Sequence, residues 1–139
     1  MFLLGANDIQ GMRVGGRTVA FGTRPWTEEY LTRIATLMAQ AGDARVYWIG
    51  LPRMKSASYD RHVKMLNALF QVTVAHFSGI YVSTDEVFGP KGEPYSPYAC
   101  RAGRQVLVRT ADGIHMTMKG YEMITETVAR RLLFSEIVK

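Results

Sequence analysis

Apolar residues along this chain fall into two kinds of run. Three runs are short and nearly unbroken: Phe2-Leu3-Leu4, Val46-Tyr47-Trp48-Ile49 and Ile80-Tyr81-Val82. Runs of that length, rich in aromatic and β-branched residues and lacking polar alternation, predict strands buried on both faces of a parallel sheet. Longer stretches repeat at helical spacing instead. One opens at Thr27 as N-cap, with Glu28 and Glu29 in its first turn, carries Tyr30, Ile34, Leu37 and Met38 on one face, and stops at Gly42. A second starts near Ser58 and lines up Val63, Leu66, Phe70, Val74 and Phe77; a third follows Thr117 with Tyr121, Ile124, Val128 and Leu132. Strands alternating with helices predict an α/β fold, a parallel sheet covered on both faces.

Two stretches escape both patterns. Residues 9 to 25, with Gly11, Gly15, Gly16 and Gly22, read as a long loop beyond the first strand. Residues 85 to 105, broken by Gly89, Pro90, Gly92, Pro94, Pro97 and Gly103, read as another, leading to Val106-Leu107-Val108, which can pair as a small ribbon. Long loops in compact domains tend to bind or gate. Trp26, beside Pro25, is placed to close a hydrophobic staple ahead of the first helix, with a groove-lining role as the alternative.

At 139 residues the chain is read as a single domain, 1–139, and its 47% hydrophobic and 21% charged residues are those of a globular protein. The formal charge of +5 is spread from Arg13 to Lys139 without a basic run, so no nucleic-acid partner is expected. The single Cys100 excludes an internal disulfide. Met1-Phe2-Leu3-Leu4 reaches Asn7 and Asp8 at once, which predicts neither a signal peptide nor a membrane span. The same four residues suit the middle of a sheet, yet nothing before them supplies a neighbour. An open apolar edge of this kind predicts pairing with a missing N-terminal segment or with a second copy in a homo-oligomer.

Candidate chemistry sits near both ends. In Asp112-Gly113-Ile114-His115 a carboxylate three residues before an imidazole can accept a hydrogen bond from Nδ1 and leave Nε2 as a general base. Such a pair also occurs in solvated surface loops. Gly5-Ala6-Asn7-Asp8 closes an apolar strand at the other end. Asp8, Asp85, Asp112 and His115 could be imagined as metal ligands, but turn-holding and loop-capping roles for the aspartates are the expectation, so no metal is assigned.

The order of these blocks, with Asp112 through Tyr121 running into a helix, resembles the SGNH hydrolases, also called GDSL-type esterases and acyltransferases. More narrowly it is similar to the bacterial domain-of-unknown-function 459 group, as are Val46 through Met54 and Tyr95-Ser96-Pro97-Tyr98. The resemblance implies a three-layer α/β/α, flavodoxin-like fold, here lacking its first strands. It implies Asn7 as oxyanion donor, Asp112 as orienting acid and His115 as base, with no cofactor. The substrate class it implies is a small-molecule or carbohydrate ester, with bacterial periplasm or cell envelope as the location of a full-length form.

The departure from that family is the nucleophile. Family members begin with a Gly-Asp-Ser block, and neither it nor the glycine block that helps line the oxyanion hole occurs here. Ser56, Ser58, Ser78, Ser83, Ser96 and Ser135 lie in segments that offer no replacement. The chain alone is therefore expected to be nearly inactive, and a noncatalytic carbohydrate-binding or interaction module is the alternative. Arg13 and Arg53, with Arg17, Arg24 and Lys55, are placed on the motif-bearing rim, either solvated or attracting an anionic acyl donor or acidic glycan.

Overall fold

The computed structural model describes residues 1–85, 87–90 and 92–137, the side chains of 134–137 excepted. Its elements are β1 (Met12–Val14), β2 (Arg17–Val19), α1 (Arg24–Gln40), β3 (Tyr47–Ile49), α2 (Ala57–His76), β4 (Ile80–Val82), β5 (Tyr98–Arg101), β6 (Arg104–Leu107) and α3 (Met118–Ile137). Among the described residues no helix is long and apolar enough to cross a membrane.

The core is organised around β3, whose three residues are all buried. It pairs in parallel with β4 on one side, Trp48 opposite Tyr81. On the other side Phe2 forms a parallel bridge to Trp48, donating its N–H to the Tyr47 carbonyl and accepting from Ile49, both at 2.8 Å. Side chains alternate across a strand. Trp48 accordingly enters the cluster built from α1 and α2, with Tyr30, Ile34, Val63, Leu66 and Phe70. Tyr47 and Ile49 enter a second cluster with Val82 and with Ile124 and Val128 of α3. The connections from Phe2 to β3 and from β3 to β4 carry α1 and α2, which pack on one face with Trp48, as right-handed crossovers in the same direction require. Helix α3 covers the other, which makes three layers.

Several boundaries differ from the sequence reading. Helix α1 begins at Arg24, with Thr23 as its cap and Pro25 in the first turn, where a missing N–H costs nothing. Trp26 therefore lies on the helix rather than before it, fully buried, extending the stripe Tyr30, Ile34 and Met38 one turn earlier. Its indole N–H donates to the Gln10 carbonyl at 2.9 Å. Helix α2 is capped by Ser56, whose hydroxyl accepts from Tyr59 N–H. Its stripe ends at Val74: Phe77 caps the helix and is exposed, as are Tyr121 and Leu132 of α3, because these helix ends overhang a sheet of three-residue strands.

The glycine-rich stretch is not wholly a loop. β1 and β2 form an antiparallel hairpin across Gly15 and Gly16, both at positive φ, the geometry a two-residue turn requires. β5 and β6 pair as the expected ribbon, Ala99 opposite Val106. The first strand, by contrast, contracts to the Phe2 bridge. Alternation turns the Leu3 N–H and C=O away from β3, and neither bonds a described residue. Met1 and Leu4 beside them are exposed.

Candidate functional site

The site is built on the loop between β6 and α3. Its two ends are tied together: Arg109 bridges Met116 in antiparallel fashion, Thr110 N–H donates to the His115 carbonyl at 3.0 Å, and Thr117 N–H to the Val108 carbonyl at 3.0 Å. Between the ties the chain turns at Gly113, φ +71°. This curls Asp112 back over the residues that follow it. Asp112 Oδ1 accepts from Thr110 Oγ1 at 2.6 Å and from the backbone N–H groups of Ile114 and His115 at 2.8 and 3.0 Å.

That leaves Oδ2 for the imidazole, and His115 Nδ1 lies 2.6 Å from it. An ionised carboxylate only accepts, so Nδ1 carries the donated proton, and it is Nε2 that carries the lone pair when the ring acts as a base. No described side chain hydrogen-bonds Nε2. The His115 and Asp112 side chains are 66% and 44% exposed, so Nε2 is open to an incoming group from solvent.

Hydrogen bonds from His115, from Thr110 and from the two backbone N–H groups, in that order, hold the Asp112 carboxyl well below the usual carboxylate range. A depressed folded-state value contributes stability above the unfolded value of about 3.9 and loses it as pH falls below that point towards the folded value. The expected result is that the Asp112 carboxyl carbon, followed by NMR, titrates clearly below the unfolded midpoint. Exchange of Asp112 for asparagine should then flatten the acid limb of the stability curve. An ordinary midpoint would mean that the carboxylate is not held as described.

The second motif closes the Phe2–Leu4 segment in a turn. Asp8 N–H donates to the Gly5 carbonyl at 2.9 Å, and Gly5 takes φ +111°. A Cβ on Gly5 would stand 2.7 Å from Phe70 Cζ, so the turn is seated directly on the core. Asn7 is exposed at its corner, and its amide bonds no described residue. Asp8 does not hold its own turn: Oδ2 accepts from the Tyr30 hydroxyl at 2.8 Å, an anchor into α1.

Tyr59 connects the two motifs. Its hydroxyl donates to the carbonyl of Ala6, next to Asn7. Its phenol is pushed up by burial and then by the charges of Asp112 and Asp8. Ile114 packs against the same cluster as Ala6 and Tyr59. Residues at opposite ends of the sequence thus meet over the start of α2.

Arg13 and Arg53 are engaged elsewhere. Arg13 donates to the Gly16 carbonyl across its own hairpin turn. Arg53 donates to the carbonyls of Asp85 at 2.9 Å, Pro90 at 2.8 Å and Glu93. Ser56 pairs with Ser58, Ser83 accepts from Asp85 N–H, and Ser96 bonds Tyr98; the Ser135 side chain lies outside the described residues. Asp85 and Asp8 stand apart in these separate networks, and among the described residues no three His, Cys, Asp or Glu side chains gather to hold a metal.

Sequence reasoning did not single out Arg109. It is 2% exposed, and Nη2 donates to the carbonyls of Gly113 at 3.2 Å and Ile114 at 2.8 Å, propping the loop from beneath. Its place after the apolar run Val106-Leu107-Val108 is the one hint of burial in the sequence. Thr110, two residues before Asp112, was equally unmarked.

The family model described as "Protein of unknown function (DUF459)" matches residues 1–131 of this chain. Comparison with curated proteins returns no match.

Proposed function

Given that the chain belongs to the DUF459 family, we propose that it carries the base, the orienting acid and an oxyanion donor of a serine-type ester hydrolase or acyltransferase of the SGNH kind. The observation that supports this most is the 2.6 Å hydrogen bond between His115 Nδ1 and Asp112 Oδ2, with Nε2 left open. In the reaction, Nε2 takes the proton from a serine hydroxyl as it attacks the ester carbonyl and returns it to the leaving alcohol. Asp112 holds the ring and stabilises the imidazolium. The free amide of Asn7 donates to the developing oxyanion. The proposed substrate is an O-acyl group on a cell-envelope carbohydrate.

The serine is proposed to arrive on a strand that pairs with the free edge at Leu3. Asn7 follows that edge directly, so a strand added in parallel ends on the same rim. Without it, Nε2 can only activate water, and the 139-residue chain is a very poor esterase. The test is hydrolysis of p-nitrophenyl acetate by this chain and by a polypeptide that also carries a Gly-Asp-Ser strand encoded in frame upstream, each with and without His115→Ala. The longer protein should lose about a thousandfold or more in rate with His115→Ala, while the short chain stays close to buffer. An unchanged rate in the longer variant would sink the assignment of His115 as base. Substantial turnover by the short chain would require a nucleophile already within it.

The exposed Met1 and Leu4 beside the free edge also favour a second reading, a noncatalytic carbohydrate-binding or interaction module that pairs through this edge. It predicts binding that is insensitive to His115→Ala.

A further inference from the structure

Beside the loop that carries Asp112 and His115 lies a separate cavity of about 200 Å³, lined by Asp85, by residues 88–90 and 93–96 and by the β5–β6 ribbon. Phe88, Tyr95, Ala99, Gln105, Arg53 and Arg109 are on its wall. Arg109 supplies the chemistry. Its guanidinium is charged at all ordinary pH and has five N–H donors, and among the described residues only Nη2 is used, on the Gly113 and Ile114 carbonyls and on Met54 Sδ at 3.3 Å. Nε and Nη1 are buried and have no hydrogen-bond partner among the described residues. The Tyr95 ring lies with its centroid 5.8 Å from Cζ. Burial pulls the guanidinium below its ordinary range, with the neighbouring Tyr95 phenol opposing that shift.

A buried cation whose donors go unmet is costly, and folded chains keep such groups where something fills the vacant donors. We propose that this cavity is a binding subsite for a small carboxylate-bearing ligand, received by Nε and Nη1 of Arg109. Arg53 adds a second guanidinium to the wall that is bonded to backbone carbonyls and forms no ion pair with a described residue. Among the described residues two carboxylates also line the cavity. Asp85 is half-buried and close enough to the Tyr81 phenol to help burial push it up to about 12, and Glu93 is exposed. Neither pairs with either guanidinium. Their presence selects a monoanion over a dianion such as phosphate, since each added negative charge meets two like charges. The carboxylate can come from an acidic sugar or from a short dicarboxylic acyl group; both present the same singly charged acceptor.

This subsite is read by binding, so it stands or falls apart from the hydrolase proposal. The probe is the Arg109 Nε–H resonance in ¹⁵N-labelled protein, titrated with glucuronate, monoethyl succinate, glucose, diethyl succinate and inorganic phosphate. Glucuronate or monoethyl succinate should shift it saturably, at least tenfold more tightly than the neutral compounds, and the tighter of the two identifies the source. Gln105 lines the cavity but is exposed, so its replacement leaves the fold intact. Gln105→Glu should weaken the carboxylate about threefold or more through added repulsion. An immobile Nε–H signal, equal response to the neutral compounds, tighter binding of phosphate, or unchanged affinity in Gln105→Glu would each overturn the proposal.

Discussion

Phe70→Ala is expected to cost the chain about 3–5 kcal/mol, the range for removing a fully buried aromatic side chain. Phe70 has no exposed surface, and its ring lies 4.9 Å from that of Trp48 and 6.2 Å from that of Tyr30. It therefore joins α2 to the central strand and to α1 at one point. A domain has about 5–15 kcal/mol in all, so this single change removes a large share. The cavity would open directly beneath Gly5, whose backbone rests on the Phe70 ring. Urea unfolding should show the loss in the midpoint, and the Asn7 amide resonances should broaden as the turn loses its seat. A loss below about 1 kcal/mol would mean that the core closes over the gap, contrary to the packing described.

Gly113→Ala is the second large effect, and it acts at the site itself. The residue sits at φ +71°, a conformation that costs a side-chain-bearing residue roughly 1–2 kcal/mol. An added Cβ would also stand 2.3 Å from Lys55 Cβ. Lys55 cannot retreat freely, because its N–H donates to the Gly113 carbonyl at 3.2 Å. Strain and overlap together should cost about 2–4 kcal/mol and unseat the turn that aims Asp112 at His115. Gly15→Ala separates the two causes. Gly15 also has positive φ, +54°, but nothing lies within 4 Å of an added Cβ, so only the strain of about 1–2 kcal/mol should appear. Denaturation of both variants, with the His115 ring signal as a local reporter, measures the difference. Equal losses in the two would show that the Lys55 contact is yielding.

The helical stripes were legible where a helix lies over the sheet. Tyr30, Ile34 and Met38, then Val63, Leu66, Phe70 and Val74, then Ile124 and Val128 are all buried as their spacing predicts. Phe77, Tyr121 and Leu132 share that spacing but stand beyond the sheet's edge, and periodicity carries no information about how far a neighbour extends. The hairpin of β1 and β2 was illegible for a related reason. Arg13, Arg17 and Thr18 give no clean alternation, and the pairing rests on the Gly15-Gly16 turn and on packing beside α1.

The site divides along the same line. Asp112, Gly113 and His115 lie within four consecutive residues, so covalent connection alone limits where the carboxylate and imidazole can go, and the sequence by itself determined that they could meet. The three-layer α/β character was likewise set by alternating apolar patterns, because burial against a sheet demands them. What surrounds the pair was decided by tertiary structure. Tyr59 reaches Ala6 from 53 residues away, Arg53 reaches Asp85 and Pro90 from 32 and 37, and Arg109 is buried only because β6 carries it beneath the loop. Contacts across such separations depend on which strands become neighbours and which faces they turn inward, and no local spacing encodes that.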